Sequence, residues 1–271
     1  MLFLNRTITE IFDFFGIHLV GFLDFASIKH ELISCRASSR IPEHCSTVMV
    51  CLSPYRLKEQ APQYISRYAA VEDYHLVLQK KLEKVVTKLK EKFPQNKFEI
   101  FVDNSPIPEV KAAAMAGLGC IGEHHLLINE TYGSYVFIGE ILTDLKLQTV
   151  EHKITNCIGC NKCKEVCPTG CLADSARSCL SDITQKKKDL SLEEQNMMRQ
   201  AKTVWGCDIC QEVCPMNQKK KYSDVTEFFE TYRDTYQPDE DSTGRAYTWR
   251  GEKVIKRNYE IVKNSLDKEK K

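Results

Sequence analysis

Apolar positions along the first half of the chain alternate between two rhythms. Ile8, Ile11, Phe12 and Phe15 fall at helical spacing, which predicts an amphipathic helix near the start. Leu19 to Leu23 is a short apolar run, and Thr47-Val48-Met49-Val50-Cys51-Leu52 is a continuous β-branched one; both predict strands. A long helix is predicted from about Tyr64 to Phe93. Leu76, Leu78, Leu82, Val85, Val86 and Leu89 would face the core, and Pro94 ends it. Phe98-Glu99-Ile100-Phe101-Val102 predicts a strand with Asp103 at its carboxyl end, where ligands collect in open α/β sheets. Pro106 and Pro108 then open a helix from Glu109 to Ala116, since proline suits a first turn. Gly117, Gly119 and Gly122 interrupt the segment after that helix, and Ser134 to Leu142 predicts another strand.

Beyond residue 150 the apolar rhythm gives way to cysteines and lysines. A polar stretch there holds a predicted helix, Leu192 to Thr203. Two more helical patterns, Val225 to Tyr232 and Lys253 to Leu266, flank a proline- and acid-rich linker from Tyr236 to Thr243. The expected class is α/β. An α/β domain would cover residues 1–150, a double-cluster ferredoxin-like module 151–222, and C-terminal helices 223–271.

Composition narrows the setting. With 42% apolar and 28% charged residues, the 271-residue chain reads as a soluble globular protein. No apolar run approaches the ~18 residues of a membrane span. The apolar start, Met1 to Arg6, reads as neither an export signal nor a twin-arginine segment, so a reducing cytoplasm is expected. Thirteen cysteines in that setting point to metal ligands rather than disulfides. Net charge is +1, from 38 basic and 37 acidic residues, which gives no global electrostatic case for nucleic acid. Lys186 to Lys188, Lys219 to Lys221 and Lys268 to Lys271 read as solvated loops or ends, or else as phosphate contacts.

Eight of the cysteines form an iron–sulfur signature. The first run is Cys157-x2-Cys160-x2-Cys163-x3-Cys167-Pro168, and the second is Cys207-x2-Cys210-x3-Cys214-Pro215. In two-cluster ferredoxins the fourth cysteine of each run crosses to the other cube. One [4Fe–4S] cluster would therefore take Cys157, Cys160, Cys163 and Cys214. The other would take Cys207, Cys210, Cys167 and an eighth ligand, either Cys179 in the connecting loop or Cys171. A pair of zinc sites is the rival, but the Cys-Pro endings favour cubes. Cys35, Cys45, Cys51 and Cys120 stand outside any ligand spacing and read as small hydrophobes.

Several motifs together resemble the epoxyqueuosine reductase family. They are Tyr64 to His75, Val102-Asp103-Asn104-Ser105-Pro106, Ala116 to Gly122, Gly133 to Asp144, the cysteine block and Arg257-Asn258. The resemblance spans roughly residues 15 to 265. It implies a cobalamin- and iron–sulfur-dependent oxidoreductase that removes the epoxide oxygen of epoxyqueuosine in tRNA. Electrons would come from an external flavodoxin- or ferredoxin-type donor. The aspartate matching Asp103 is the family's proposed proton donor, a carboxyl raised by shielding from water. Cobalamin contacts are expected at Arg67, Gly119, Gly122, His124, Ser134 and Tyr135. Arg67 reads equally as a salt-bridge residue, and His75 reads as a hydrogen-bonded helix histidine rather than a cobalt ligand. Glu123 stands where the family usually carries lysine, which would repel a phosphate there. A shortened member without the C-terminal helical repeats of longer members is expected. A monomer is expected. The alternatives are a cobalamin-dependent reductase of another small substrate and an iron–sulfur electron carrier.

Overall fold

A computed structural model describes residues 2–59 and 61–269. Lys270 and Lys271 of the basic tail lie outside the described residues. The order begins α1 (Leu2–Phe14), β1 (Leu19–Asp24), α2 (Phe25–Ile28), β2 (Thr47–Pro54), α3 (Arg67–Ala70) and α4 (Tyr74–Lys92). It continues β3 (Phe98–Val102), α5 (Glu109–Met115), β4 (Cys120–Ile121), β5 (Leu127–Ile128) and β6 (Val136–Thr143). The cysteine-rich region holds α6 (Lys162–Glu165), α7 (Leu180–Thr184), α8 (Leu192–Gln200) and α9 (Ile209–Glu212). The end of the chain holds α10 (Thr226–Glu230) and α11 (Glu252–Glu269).

Four strands form one sheet in the order β1-β2-β6-β3, with every neighbouring pair antiparallel. The period-2 pleat of β2 sends Met49 and Cys51 to one face and Val48, Val50 and Leu52 to the other. The first face packs Ile8 and Phe12 of α1 and Leu78, Leu82 and Val85 of α4. The second packs Ala112 to Met115 of α5. Because the sheet is antiparallel, the strand-end rule for parallel sheets does not explain Asp103. Its position follows from the turn between β3 and α5.

The long helix expected from Tyr64 is broken. Tyr64 adopts a left-handed φ of 65°, and α3 stops at Ala70. Asp73 then caps α4, its carboxylate accepting the His75 amide at 3.0 Å. The restart changes the buried face: Leu76 is 44% exposed and Val77 takes the core position. Similarly α8 ends at Gln200, before Lys202 turns left-handed at φ 48°.

A third core joins Ile65, Ala69 and Ala70 to Leu180, Met198, Trp205, Tyr247, Ile255 and Val262. The segment around α3 is thus packed into the cysteine-rich half. Asn258 is wholly buried there, its side-chain amide donating to the carbonyls of Thr184 (2.7 Å) and Val204 (2.9 Å). Arg257 donates to the carbonyls of Lys188 (2.6 Å) and Lys186 (2.9 Å). The closing Arg-Asn pair therefore ties α11 across the module. Among the described residues no helix is long and apolar enough to cross a membrane.

Candidate active site and cluster cysteines

The cysteines separate into two groups in space. Cys157, Cys160, Cys163 and Cys214 line one small hollow, together with Glu123, His124 and Met216. The segment before Cys157 is laid against β4, Ile121 accepting the Cys157 amide at 2.9 Å. Cys167, Cys171, Cys179, Cys207 and Cys210 line a larger cleft of about 470 Å³. Each group mixes cysteines from both sequence runs. Cys167 Sγ lies 3.6 Å from Cys171 Sγ. Cys179 lies close enough to act electrostatically on both Cys207 and Cys210. Burial pushes the thiols of Cys45 and Cys51 up to about 12, which suits their reading as inert small side chains.

The same cleft is lined from the sheet side by Tyr74, His75, Asp103, Glu109, Phe137 and Ile138. Asp103 leaves β3 in a left-handed conformation, φ 63°, which aspartate tolerates better than most residues. Its Oδ2 lies 3.1 Å from His75 Nε2. His75 Nδ1 in turn lies 2.6 Å from Asp73 Oδ1. Burial alone would lower the imidazolium, but hydrogen bonds and charge from Asp103 and Asp73 outweigh it and raise His75 to about 9. His75 is thus held cationic between two carboxylates at neutral pH. Tyr74 and Phe137 stack at 4.1 Å with 8° between their planes, giving the cleft a flat aromatic wall.

Shielding was expected at Asp103, yet its side chain is 58% exposed at the open strand end. Glu109 and Glu140, which motif reading passed over, are shielded more deeply. Glu109 is raised to about 9 by burial and by the charges of Glu140 and Asp103. Glu140, wholly buried, is raised to about 8 by burial.

The six expected cofactor contacts divide. His124 and Ser134 line the cleft. His124 is buried and its Nε2 has no partner, while Gly122 leaves the room its ring occupies, since a Cβ there would stand 2.5 Å from it. Ser134 is committed to the cysteine module: its Oγ donates to Gln211 Oε1 at 2.8 Å, and its amide to Asn217 Oδ1 at 2.7 Å. Gly119 packs against the Ile128 carbonyl, 2.4 Å from where a Cβ would sit. Arg67 and Tyr135 do not line the cleft. The Arg67 amide donates to Asp208 Oδ2 at 2.6 Å, its guanidinium lies 3.7 Å from Glu212, and it stands over the Tyr135 ring. Both residues seat the cysteine module on the sheet domain. Glu123, the expected repulsive anion, is paired with Lys164 and borders the first cysteine hollow instead of the cleft.

An antiparallel sheet domain is closed by a cysteine module, with a shared cleft between them. Residues 156–217 match the 4Fe-4S double cluster binding domain, so the module is a two-cluster [4Fe–4S] domain. Residues 36–104 match the family described as Epoxyqueuosine reductase QueG, DUF1730. The epoxyqueuosine reductase of Listeria monocytogenes is 33% identical over 267 residues, covering 88% of this chain and 69% of that protein. The chain belongs to the epoxyqueuosine reductase family. Several other curated relatives are matched over only about half their length, 46–52%. The solved structure of the Streptococcus thermophilus epoxyqueuosine reductase superposes with a TM-score of 0.79 at 25% identity. It covers 97% of this chain and 81% of that one. An epoxyqueuosine reductase solved with an epoxyqueuosine-modified tRNA stem loop shares the fold, with a TM-score of 0.80 at 23% identity over 96% and 80% of the two chains.

Proposed function

We propose that this chain is a cobalamin- and iron–sulfur-dependent reductase that converts epoxyqueuosine to queuosine in tRNA. The observation that carries the reading is a single cleft containing the His75–Asp103 couple, Cys167, Cys207, Cys210 and Cys179. An acid for the substrate and a terminus for electrons would then meet in one space. In this reading one cluster is held by Cys157, Cys160, Cys163 and Cys214. The other is held by Cys167, Cys207, Cys210 and Cys179, because Cys179 acts on both Cys207 and Cys210; Cys171, beside Cys167 and Cys179, is the alternative eighth ligand.

The cleft residues suit a broad flat cofactor. The Tyr74–Phe137 stack offers a planar wall, and the unpartnered His124 Nε2 offers a buried hydrogen-bonding atom. When bound, cobalamin supplies a reducible metal centre that gathers two single electrons for one bond-breaking event. Removing an epoxide oxygen as water breaks both C–O bonds and consumes two electrons and two protons. Asp103 delivers a proton to the departing oxygen by relaying the Nε2 proton that His75⁺ shares with its carboxylate. Asp73 fixes the imidazole orientation, and the Asp73 cap fixes the backbone that carries it. The cysteine module receives electrons singly from a flavodoxin- or ferredoxin-type donor.

The test is anaerobic reconstitution with iron, sulfide and cobalamin, followed by incubation with epoxyqueuosine-containing tRNA and a low-potential donor. Nucleoside mass spectrometry should show queuosine replacing epoxyqueuosine. Bound corrin without conversion would point to a different small substrate, and intact clusters without corrin binding would point to an electron carrier.

A further inference from the structure

The shielded carboxyls take no part in the proton transfer assigned to Asp103, yet the fold isolates them beside it. Glu140 stands at the centre of the sheet, opposite Val50 and Phe101, and is 0% exposed. Its Oε2 accepts the Ser105 hydroxyl, whose oxygen also accepts the Ile107 amide at 3.0 Å. Its Oε1 is buried with no partner. Glu109 opens α5 above that face and borders the cleft, with the Asp103 backbone beside it. One oxygen of Glu109 is likewise buried and unpartnered.

Two buried carboxylates with bare oxygens lack solvation, and a proton on each relieves the cost. We propose that Glu109 and Glu140 are each held protonated at neutral pH and that Glu109, at the cleft edge, passes its proton to the Asp103–His75 couple during turnover. The delivery half of this proposal rests on the reductase reading. The groups facing the pair are Asp103, His75 and Ser105, with Tyr74 on α4 and Cys51 on β2. Of these only His75 is a cation, and it faces Glu109. Both carboxyls are raised, to about 9 for Glu109 and about 8 for Glu140, chiefly by burial.

The stoichiometry closes with this store. Two electrons from the external one-electron donor and two protons convert the epoxide to an alkene and water. The Asp103–His75 couple gives the first proton, Glu109 restores the couple with the second, and solvent recharges both. Glu109 and Glu140 are positioning residues, since they act through Asp103.

Infrared spectra of the cluster-loaded chain, without substrate, test the store directly. From about pH 6 to about pH 10, wild type should show a protonated-carboxyl stretch that shifts in D₂O and fades on the alkaline side. Glu109→Gln and Glu140→Gln should each weaken it, and the double variant should abolish it. With epoxyqueuosine tRNA, Glu109→Gln should lower kcat ~10- to 100-fold with little change in KM and shift the alkaline limb of the pH profile. Absence of the band at neutral pH, or its survival at full strength in Glu109→Gln, overturns the store. Wild-type turnover and pH profile in Glu109→Gln overturn the delivery step. If wild type itself leaves epoxyqueuosine unreduced, the reductase reading fails while the infrared arm still decides the pair. Should Glu140→Gln not fold, Glu109→Gln at the cleft edge carries the test alone.

Discussion

Asn258 joins the end of the chain to the second group of cysteines, and replacing it separates stability from cluster retention. Its side-chain amide donates to two buried backbone carbonyls, Thr184 and Val204, at 2.7 and 2.9 Å. Asn258→Leu keeps the volume and removes both donors. At ~1–3 kcal/mol for each buried group left unmatched, the loss comes to ~2–4 kcal/mol after partial relaxation. That is a large share of the ~5–15 kcal/mol that holds a typical domain. The damage should be local. Thr184 Oγ1 accepts the Gly206 amide at 3.0 Å, and Thr203 Oγ1 donates to the Gly206 carbonyl at 2.8 Å. Gly206, at φ 72°, immediately precedes Cys207. Loosening Thr184 therefore loosens the turn that presents Cys207 and Cys210, while the hollow around Cys157 is left alone. The assay is anaerobic chelator challenge, with iron per chain and electron paramagnetic resonance spin count followed over time. The variant should release one cluster well before the other. Equal release rates for both clusters, or a denaturation midpoint matching wild type, would refute the reasoning.

Cys179→Ser should halve the reconstituted iron content, while Cys171→Ser should leave it at the wild-type level; iron and sulfide determination on both variants decides the eighth ligand. Asp103→Asn should lower turnover of epoxyqueuosine tRNA by ~10²–10⁴-fold with both clusters retained, because the side chain is exposed and His75 keeps its bond to Asp73. His75 is raised from 6.5 to about 9, so the stabilisation from its carboxylate partners is complete below pH 6.5 and is lost as pH rises through 9. Imidazole NMR should place its titration near 9 in wild type and lower in Asp103→Asn. A His75 titration at its ordinary value in wild type would remove the imidazolium from the site.

The strands were legible because their apolar runs are short, local and bounded by turn residues, and β1, β2 and β3 fall where the pattern places them. The cysteines were legible because ligand spacing is a local property. The break before α4 was not, since residues 64 to 73 carry enough apolar side chains to continue a helical pattern; the Asp73 cap and the left-handed Tyr64 decide otherwise. Asp103 was reached through a motif, but its partner was not. His75 and Asp103 are 28 residues apart and meet only because α4 starts where β3 ends. Glu140 sits in a strand motif whose sequence gives no sign that its carboxyl is buried, because burial is set by α5 and Ser105 arriving from elsewhere. Arg67 and Tyr135 belong to motifs that flank the site, and their side chains meet at the seam between sheet and cysteine module.

The interleaving of the two cysteine groups also dictates an order of manufacture. Cys214 shares its hollow with Cys157, Cys160 and Cys163, and Cys167 shares the cleft with Cys207 and Cys210. A ribosome that has released residues up to 200 has exposed a full run of thiols and no complete cradle for either cube. Iron delivery must therefore await the segment from Cys207 to Cys214, and both groups become complete at almost the same moment. A stop before Cys207 would leave both groups short of thiols rather than one.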